Sequence, residues 1–201
     1  KPLAGLTVHR GVVETGELAV SDSARIAVDV PRREAIRRNH SATHLLHWAL
    51  RKVVGSHAQQ KGSLVGPDRF RFDFTHNRPL GPEEIQRIED LVNERVLQNH
   101  PVQTEVMTME DARKRGAMMI FEEKYGDTVR MLRMAESLEL CGGTHARATG
   151  DIGLFKVQSE QGVAAGVRRL VATTGEGSLA YLLRLHQSLA RAAPARQATP
   201  Q

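Results

Sequence analysis

RFRFDFTH, residues 69–76, alternates with a period of two: Phe70, Phe72 and Phe74 face one way, and Arg69, Arg71, Asp73 and Thr75 the other. This is the pattern of a strand with one buried face and one wet face. Helical patterns flank it. Upstream, Pro31 opens a helix that runs to about Val54, with Gly55 as its stop. Its apolar stripe, Ala42, Leu45, Leu46, Ala49 and Val53, has i, i+3, i+4, i+7 spacing. Downstream, Pro82, Glu83 and Glu84 start a second helix with the stripe Ile85, Ile88, Val92 and Val96. The stretch His57–Val65 between the first helix and the strand reads as a polar, glycine-containing link.

Further strands are predicted at Val102–Met107, Val129–Met134, Ile152–Glu160 and Val167–Thr173, the last two joined by QGVAAG. Leu138–His145 leads into a cysteine turn. Thr108 and Asp111 form a capping pattern for a short helix ending near Gly116. Ser178 begins a C-terminal helix carrying Leu179, Leu182, Leu183, Leu185 and Leu189, and residues 191–201 read as a flexible tail or linker. Leu6–Val13 and Ala24–Val30 read as short strands, the end of a β module. Strands and helices mix without βαβ alternation, so the expected class is α+β, an antiparallel or mixed sheet with packed helices.

Composition narrows the function. The 201 residues include one cysteine, so an intrachain disulfide framework is excluded and a reduced, cytoplasmic setting is expected. No run of 18 apolar residues spans a membrane, and no signal peptide is visible. The net charge of +5 and pI of about 9.8 favour an anionic partner such as nucleic acid. Five Phe, two Tyr and one Trp are too few for a base-stacking platform. Basic residues cluster at Arg32-Arg33, Arg37-Arg38, Arg51-Lys52, Arg113-Lys114-Arg115 and Arg168-Arg169. Contacts to a nucleic-acid backbone are expected of them, of Arg168 and Arg169 above all. An ordinary solvated basic surface is the plain alternative.

The chemistry-bearing residues come in two pairs. His40 and His44 lie one turn apart on the first helix, and Cys141 and His145 bracket Gly142-Gly143-Thr144. Histidines at i and i+4 can share one ion. Two glycines let the other segment fold back so that thiolate and imidazole meet. Three imidazoles and a thiolate suit zinc. The competing reading is a packed Cys141 in a glycine turn beside a solvated histidine face. At roughly 100° per residue, His40, His44, His47 and Arg51 lie opposite the apolar stripe, which places the histidines in a polar cleft or in solvent. Four protein ligands favour a structural ion, whereas the polar neighbours Ser41, Thr43, Gln59, Gln60, Lys61 and Ser63 favour a working site. Ser41 stands where an HExxH peptidase carries its glutamate, and no Walker-type run is present.

RNHSATHLLHWAL, QQKGSLV, FRFDFTHN, ELCGGTHARATGDIGLF and AAGVRRLVATTG, in this order and spacing, closely resemble the editing domain of alanyl-tRNA synthetase. The same domain occurs in free-standing alanyl-tRNA editing proteins, and a related one in threonyl-tRNA synthetase. The resemblance covers about residues 31–175. It implies hydrolysis of tRNA(Ala) mischarged with serine or glycine, with the acceptor end of tRNA(Ala) as partner. It implies zinc on His40, His44, Cys141 and His145. It implies that Thr43 lines the amino-acid pocket, with Gln60 and Ser63 as pocket or water-positioning groups. It divides the chain into the end of a β-barrel subdomain at 1–30, the editing domain at 31–175, and a C-terminal helix and linker at 176–201. The aminoacylation core and the family's glycine-rich stretch are missing, so a piece of a longer synthetase is expected, with the rest of that chain as a further partner. Two rival readings stay open: a zinc-stapled tRNA clamp without turnover, and a metal-dependent hydrolase of small esters or amides. A free-standing trans-editing deacylase is the variant within the family.

Overall fold

The computed structural model describes residues 8–119 and 126–197, with side chains to residue 192. Helix α1 (Val30–Val53) starts where Asp29 accepts a hydrogen bond from Arg32 N at 3.0 Å and Pro31 occupies the first turn. Such a cap contributes about 1 kcal/mol. After α1 come β1 (Gln60–Val65), β2 (Phe70–Thr75) and α2 (Pro82–Leu97). Next are β3 (Val102–Thr108), α3 (Met109–Lys114), β4 (Thr128–Met134) and β5 (Ser137–Leu140). A 3-10 turn at Thr149–Ile152 leads into β6 (Phe155–Ala164), β7 (Val167–Thr174) and α4 (Gly175–Gln197).

The class is α+β, with two antiparallel sheets ordered β1-β2-β7-β6 and β3-β4-β5. Phe70, Phe72 and Phe74 are fully buried, as their alternation predicts, and pack with Leu45, Leu46, Leu50, Ile88, Val92, Phe155 and Leu170. Strand β4 serves two cores. Leu132 and Met134 join the main one, while Val129 and Met131 pack with Ala112 and Leu140 under α3. Helix α1 is held against the large sheet by Asn39, which is buried. Its Nδ2 donates to Gly66 O (2.9 Å) and Pro67 O (3.0 Å), and its Oδ1 accepts from Thr174 Oγ1 at 2.7 Å.

Four local readings change. The link at His57–Val65 contains strand β1, an edge strand whose side chains are largely uncovered, so its polar composition hides it. The strands expected at Leu6–Val13 and Ala24–Val30 do not form: residues 8–29 carry no strand, their backbone has no ladder partner, and Val12, Val20 and Ile26 are exposed. Residues 1–7, including Leu6, lie outside the described residues. Ile152 belongs to the 3-10 turn and not to β6. Helix α4 begins at Gly175 and continues to Gln197, so most of the expected tail is helical.

Candidate metal centre

Near its middle, α1 is buried on almost every side: Ser41, Thr43, His44 and His47 are as enclosed as Leu45 and Leu46. The cause is β5 and the loop after it, which cover the polar face of the helix. The loop is fastened at three points. Arg130, on β4, donates from Nη1 to Gly143 O at 2.6 Å and to Cys141 O at 3.3 Å. Cys141 N donates to Arg130 O. Ala146 N donates to the fully buried Ser41 Oγ at 2.8 Å. Ser41, in the position where a peptidase would carry its base, is a fastener here.

His40, His44, Cys141 and His145 thereby converge, their ligand atoms all within 4.8 Å of one another. Cys141 Sγ lies 3.6 Å from His40 Nε2, and His44 Nε2 lies 3.2 Å from His145 Nε2. A tetrahedral zinc with bonds of about 2.0–2.1 Å to nitrogen and about 2.3 Å to sulfur sets neighbouring nitrogens about 3.4 Å apart, and nitrogen and sulfur about 3.6 Å apart. These two spacings fit that ion, and so does the donor set. Gly143 makes the approach possible: a Cβ there would sit 1.9 Å from His40 Cε1, whereas one on Gly142 would meet nothing within 4 Å.

One residue of the ELCGGTH motif gains a role that its spacing does not announce. Glu139 is buried, two residues before Cys141, and its carboxylate accepts from His44 Nδ1 (2.5 Å) and His47 Nδ1 (3.0 Å). When the ring gives up its second proton to a metal, an acceptor on Nδ1 leaves the lone pair of His44 on Nε2, the atom that faces His145 Nε2. His47, expected on the polar side of the helix, is thus buried as an anchor for this glutamate. Burial opposes charge on His44, Glu139, Cys141 and His145. Even so, the Glu139 carboxylate raises His44 to about 10. In return, burial would raise Glu139, but His44 and His47 hold it at about 2. Burial also opposes the Cys141 thiolate, yet hydrogen bonds from His145, His40 and His44 bring it down to about 3. His145 is lowered, first by burial. A thiolate at neutral pH is the form that ligates metal.

The other expected site residues fall around this centre. Thr43, adjacent to His44, donates its hydroxyl proton to His40 O at 2.7 Å, leaving oxygen lone pairs to accept. Gln60 and Ser63 lie on edge strand β1, where Gln60 Nε2 donates to Ser63 Oγ at 3.1 Å. Ser63 pairs with Phe72, whose ring lies 5.5 Å from that of His47, so both polar groups share the sheet face turned toward α1. Arg168 and Arg169 are engaged. Arg168 forms a two-pronged pair with Glu160 (2.5 and 2.7 Å), and Arg169 one with Asp73 (2.6 and 2.7 Å).

Comparison with known proteins bears on this geometry. Residues 129–171, which include Cys141, His145, Glu139 and Arg130, match the family described as threonyl and alanyl tRNA synthetase second additional domain. Along 193 residues, 96% of its length, the chain is 69% identical to the alanine--tRNA ligase of Sorangium cellulosum. Together these matches support an editing-type domain of alanyl-tRNA synthetase. The alanine--tRNA ligase of Bordetella petrii is 55% identical over 98% of the chain, and that of an Anaeromyxobacter species 56% over 96%. The chain spans about a fifth of the length of these curated relatives, 21–23% of each. Among the described residues, no helix of this alanyl-type domain is long and apolar enough to cross a membrane.

Proposed function

We propose that this domain hydrolyses the aminoacyl ester of tRNA(Ala) carrying serine or glycine and spares the alanyl ester. The observation that carries the reading is the convergence of three imidazoles and a thiolate beside Thr43, within a domain of alanyl-synthetase type. A synthetic pocket rejects a small added hydroxyl poorly, so a second pocket that recognises that hydroxyl is the chemical remedy. Thr43 is equipped for it. Its own proton is used on His40 O, so its oxygen accepts from the seryl hydroxyl, and an alanyl group leaves that acceptor unanswered.

Hydrolysis joins water oxygen to the ester carbonyl carbon. The bond from that carbon to the ribose oxygen breaks, and a proton passes to the ribose oxygen. Serine and free tRNA leave. The ester is already activated, so positioning counts for more than a strong protein base. Gln60 and Ser63 are the groups proposed to place the water. His40, His44, Cys141 and His145 would hold zinc, which supplies positive charge to hold and orient the substrate's polar end. Glu139 fixes His44 in the tautomer this requires, and Arg130 and Ser41 hold the Cys141–His145 loop on α1.

The four-ligand set also favours a second reading, a closed zinc staple that clamps tRNA without turnover. Deacylation of Ser-tRNA(Ala), Ala-tRNA(Ala) and a small serine ester, by wild type and Cys141→Ala, separates the readings. Turnover of the seryl-tRNA that is lost in Cys141→Ala supports editing. Zinc-loaded, folded wild type that binds tRNA but hydrolyses none of the three supports the clamp. Turnover of the small ester alone marks a general esterase.

A further inference from the structure

The basic clusters have different surroundings. Arg168 and Arg169 each make a two-pronged pair, with Glu160 and Asp73, but the first turns of α1 present arginines that do not. Glu34, Arg37, Arg38, Ala146, Arg147 and Asp151 line a cleft of about 340 Å³. Its two carboxylates are already engaged. Asp151 accepts from Arg147 N (3.1 Å) and Ala148 N (3.2 Å), and Glu34 accepts from Arg37 Nη1 at 2.6 Å. The Nε of Arg37 is buried with no hydrogen-bond partner, and Arg38 and Arg147 have no ion pair among the described residues. Three guanidinium groups against two occupied carboxylates leave the cleft with net positive charge and free planar N–H forks. That chemistry selects a tetrahedral oxyanion with several acceptor oxygens.

The cleft adjoins the metal centre. Arg37 shares a helix face with His40, Ser41 and His44 and is about 4.5 Å along the axis from His40. Arg147 stands two residues after His145, and Ala146 between them is tied to Ser41 and lines the cleft. A chain whose 3′ end occupies the metal centre and leaves toward the start of α1 passes over this spot. We propose that Arg37, Arg38 and Arg147 bind a backbone phosphodiester of the RNA strand whose aminoacylated 3′ end enters the His40–His44–Cys141–His145 centre. This inference rests on the editing reading above and assigns that substrate its anchoring point. The cleft holds the strand in place and takes no part in bond breaking.

The test uses the 201-residue chain with Arg147→Gln, Arg37→Gln and Arg147→Lys, and Arg87→Gln as a charge-matched control on α2. Arg147 is exposed, so its substitution leaves the core intact. Arg147→Gln and Arg37→Gln are each expected to raise KM for seryl-tRNA(Ala) about tenfold with kcat within about twofold, the loss of one charge-assisted contact. Neither variant changes hydrolysis of seryl-adenosine, which carries no phosphate. The slope of log binding constant against log salt for uncharged tRNA(Ala) becomes shallower by about 0.7–0.9 in Arg147→Gln and Arg37→Gln and is kept by Arg147→Lys and Arg87→Gln. Equal losses on seryl-tRNA and seryl-adenosine, or an unchanged salt slope, overturn the proposal. Wild type that hydrolyses neither ester defeats the editing reading, while the salt slope still decides the cleft.

Discussion

Gly142 and Gly143 are adjacent, identical in type, and predicted to behave oppositely. A Cβ on Gly143 would sit 1.9 Å from His40 Cε1 and 2.6 Å from its Nδ1. Carbon atoms rest at about 3.5–4.0 Å, so the ring or the loop must retreat by about 1.6–2.1 Å. Metal–ligand distances tolerate about 0.2 Å. Retreat of His40 removes its Nε2 from the ligand set. Retreat of the loop pulls on the Arg130 contact at Gly143 O and on Cys141 itself. Disturbing a partner outside the ligand set costs about 10–100-fold in affinity, so Gly143→Ala is expected to weaken zinc by more than about a hundredfold. Gly142 has open space, and neither glycine has a positive φ. Gly142→Ala should therefore keep wild-type affinity and gain about 0.4–1 kcal/mol from the unfolded chain. Competition for zinc against a chromophoric chelator, with thermal melts of both variants, reads the two effects. Gly143→Ala binding zinc as tightly as wild type would refute the close-approach reasoning, as would Gly142→Ala failing to bind.

Other consequences can be checked in the same assays. Glu139→Gln should lower zinc affinity about 10–100-fold while the protein stays folded, because the amide no longer balances two histidine donors; an affinity within twofold of wild type would remove Glu139 from the account. In metal-free protein, Glu139, held at about 2, stabilises the fold above the ordinary carboxylate pKa near 4.5, and that stability is lost as pH falls toward 2. His44, raised to about 10, contributes fully below its ordinary value of 6.5 and loses its contribution as pH rises through 10. Melting temperature against pH should therefore plateau between about 4.5 and 6.5 for this pair, and Glu139→Gln should flatten both limbs. Ser41→Ala leaves the buried Ala146 N–H without its acceptor and should cost about 1–3 kcal/mol in denaturant unfolding, with weaker zinc binding alongside.

The parts of the fold that local chemistry determines were legible in the sequence. Phe70, Phe72 and Phe74 declare a buried face, Pro31 and Gly55 bracket α1, and Thr108 caps α3 by accepting from Asp111 N. The metal pairs were legible because i and i+4 spacing on a helix, and two glycines between Cys141 and His145, constrain geometry locally. Glu139 was not, since a glutamate in a four-residue strand looks like an outward residue until β5 lands on α1, and that contact spans 95 residues. His47 went with it: helical angle placed it off the apolar stripe, and only tertiary covering buried it. Strand β1 was hidden by its exposed edge, and the pairing of Arg168 and Arg169 by partners on other strand positions. The two glycines read alike in sequence; the position of His40 decides which one is indispensable.

The most direct test joins the centre to its chemistry. Initial rates of deacylation of Ser-tRNA(Ala) and Ala-tRNA(Ala) should be measured with zinc-loaded, zinc-stripped and zinc-restored chain, each verified as folded. Loaded protein should prefer the seryl ester by at least about tenfold, the worth of one well-made hydrogen bond, and this activity should disappear on stripping and return with zinc. Stripped, folded protein that hydrolyses the seryl ester as fast as loaded protein, or loaded protein that cleaves both esters equally, would contradict it.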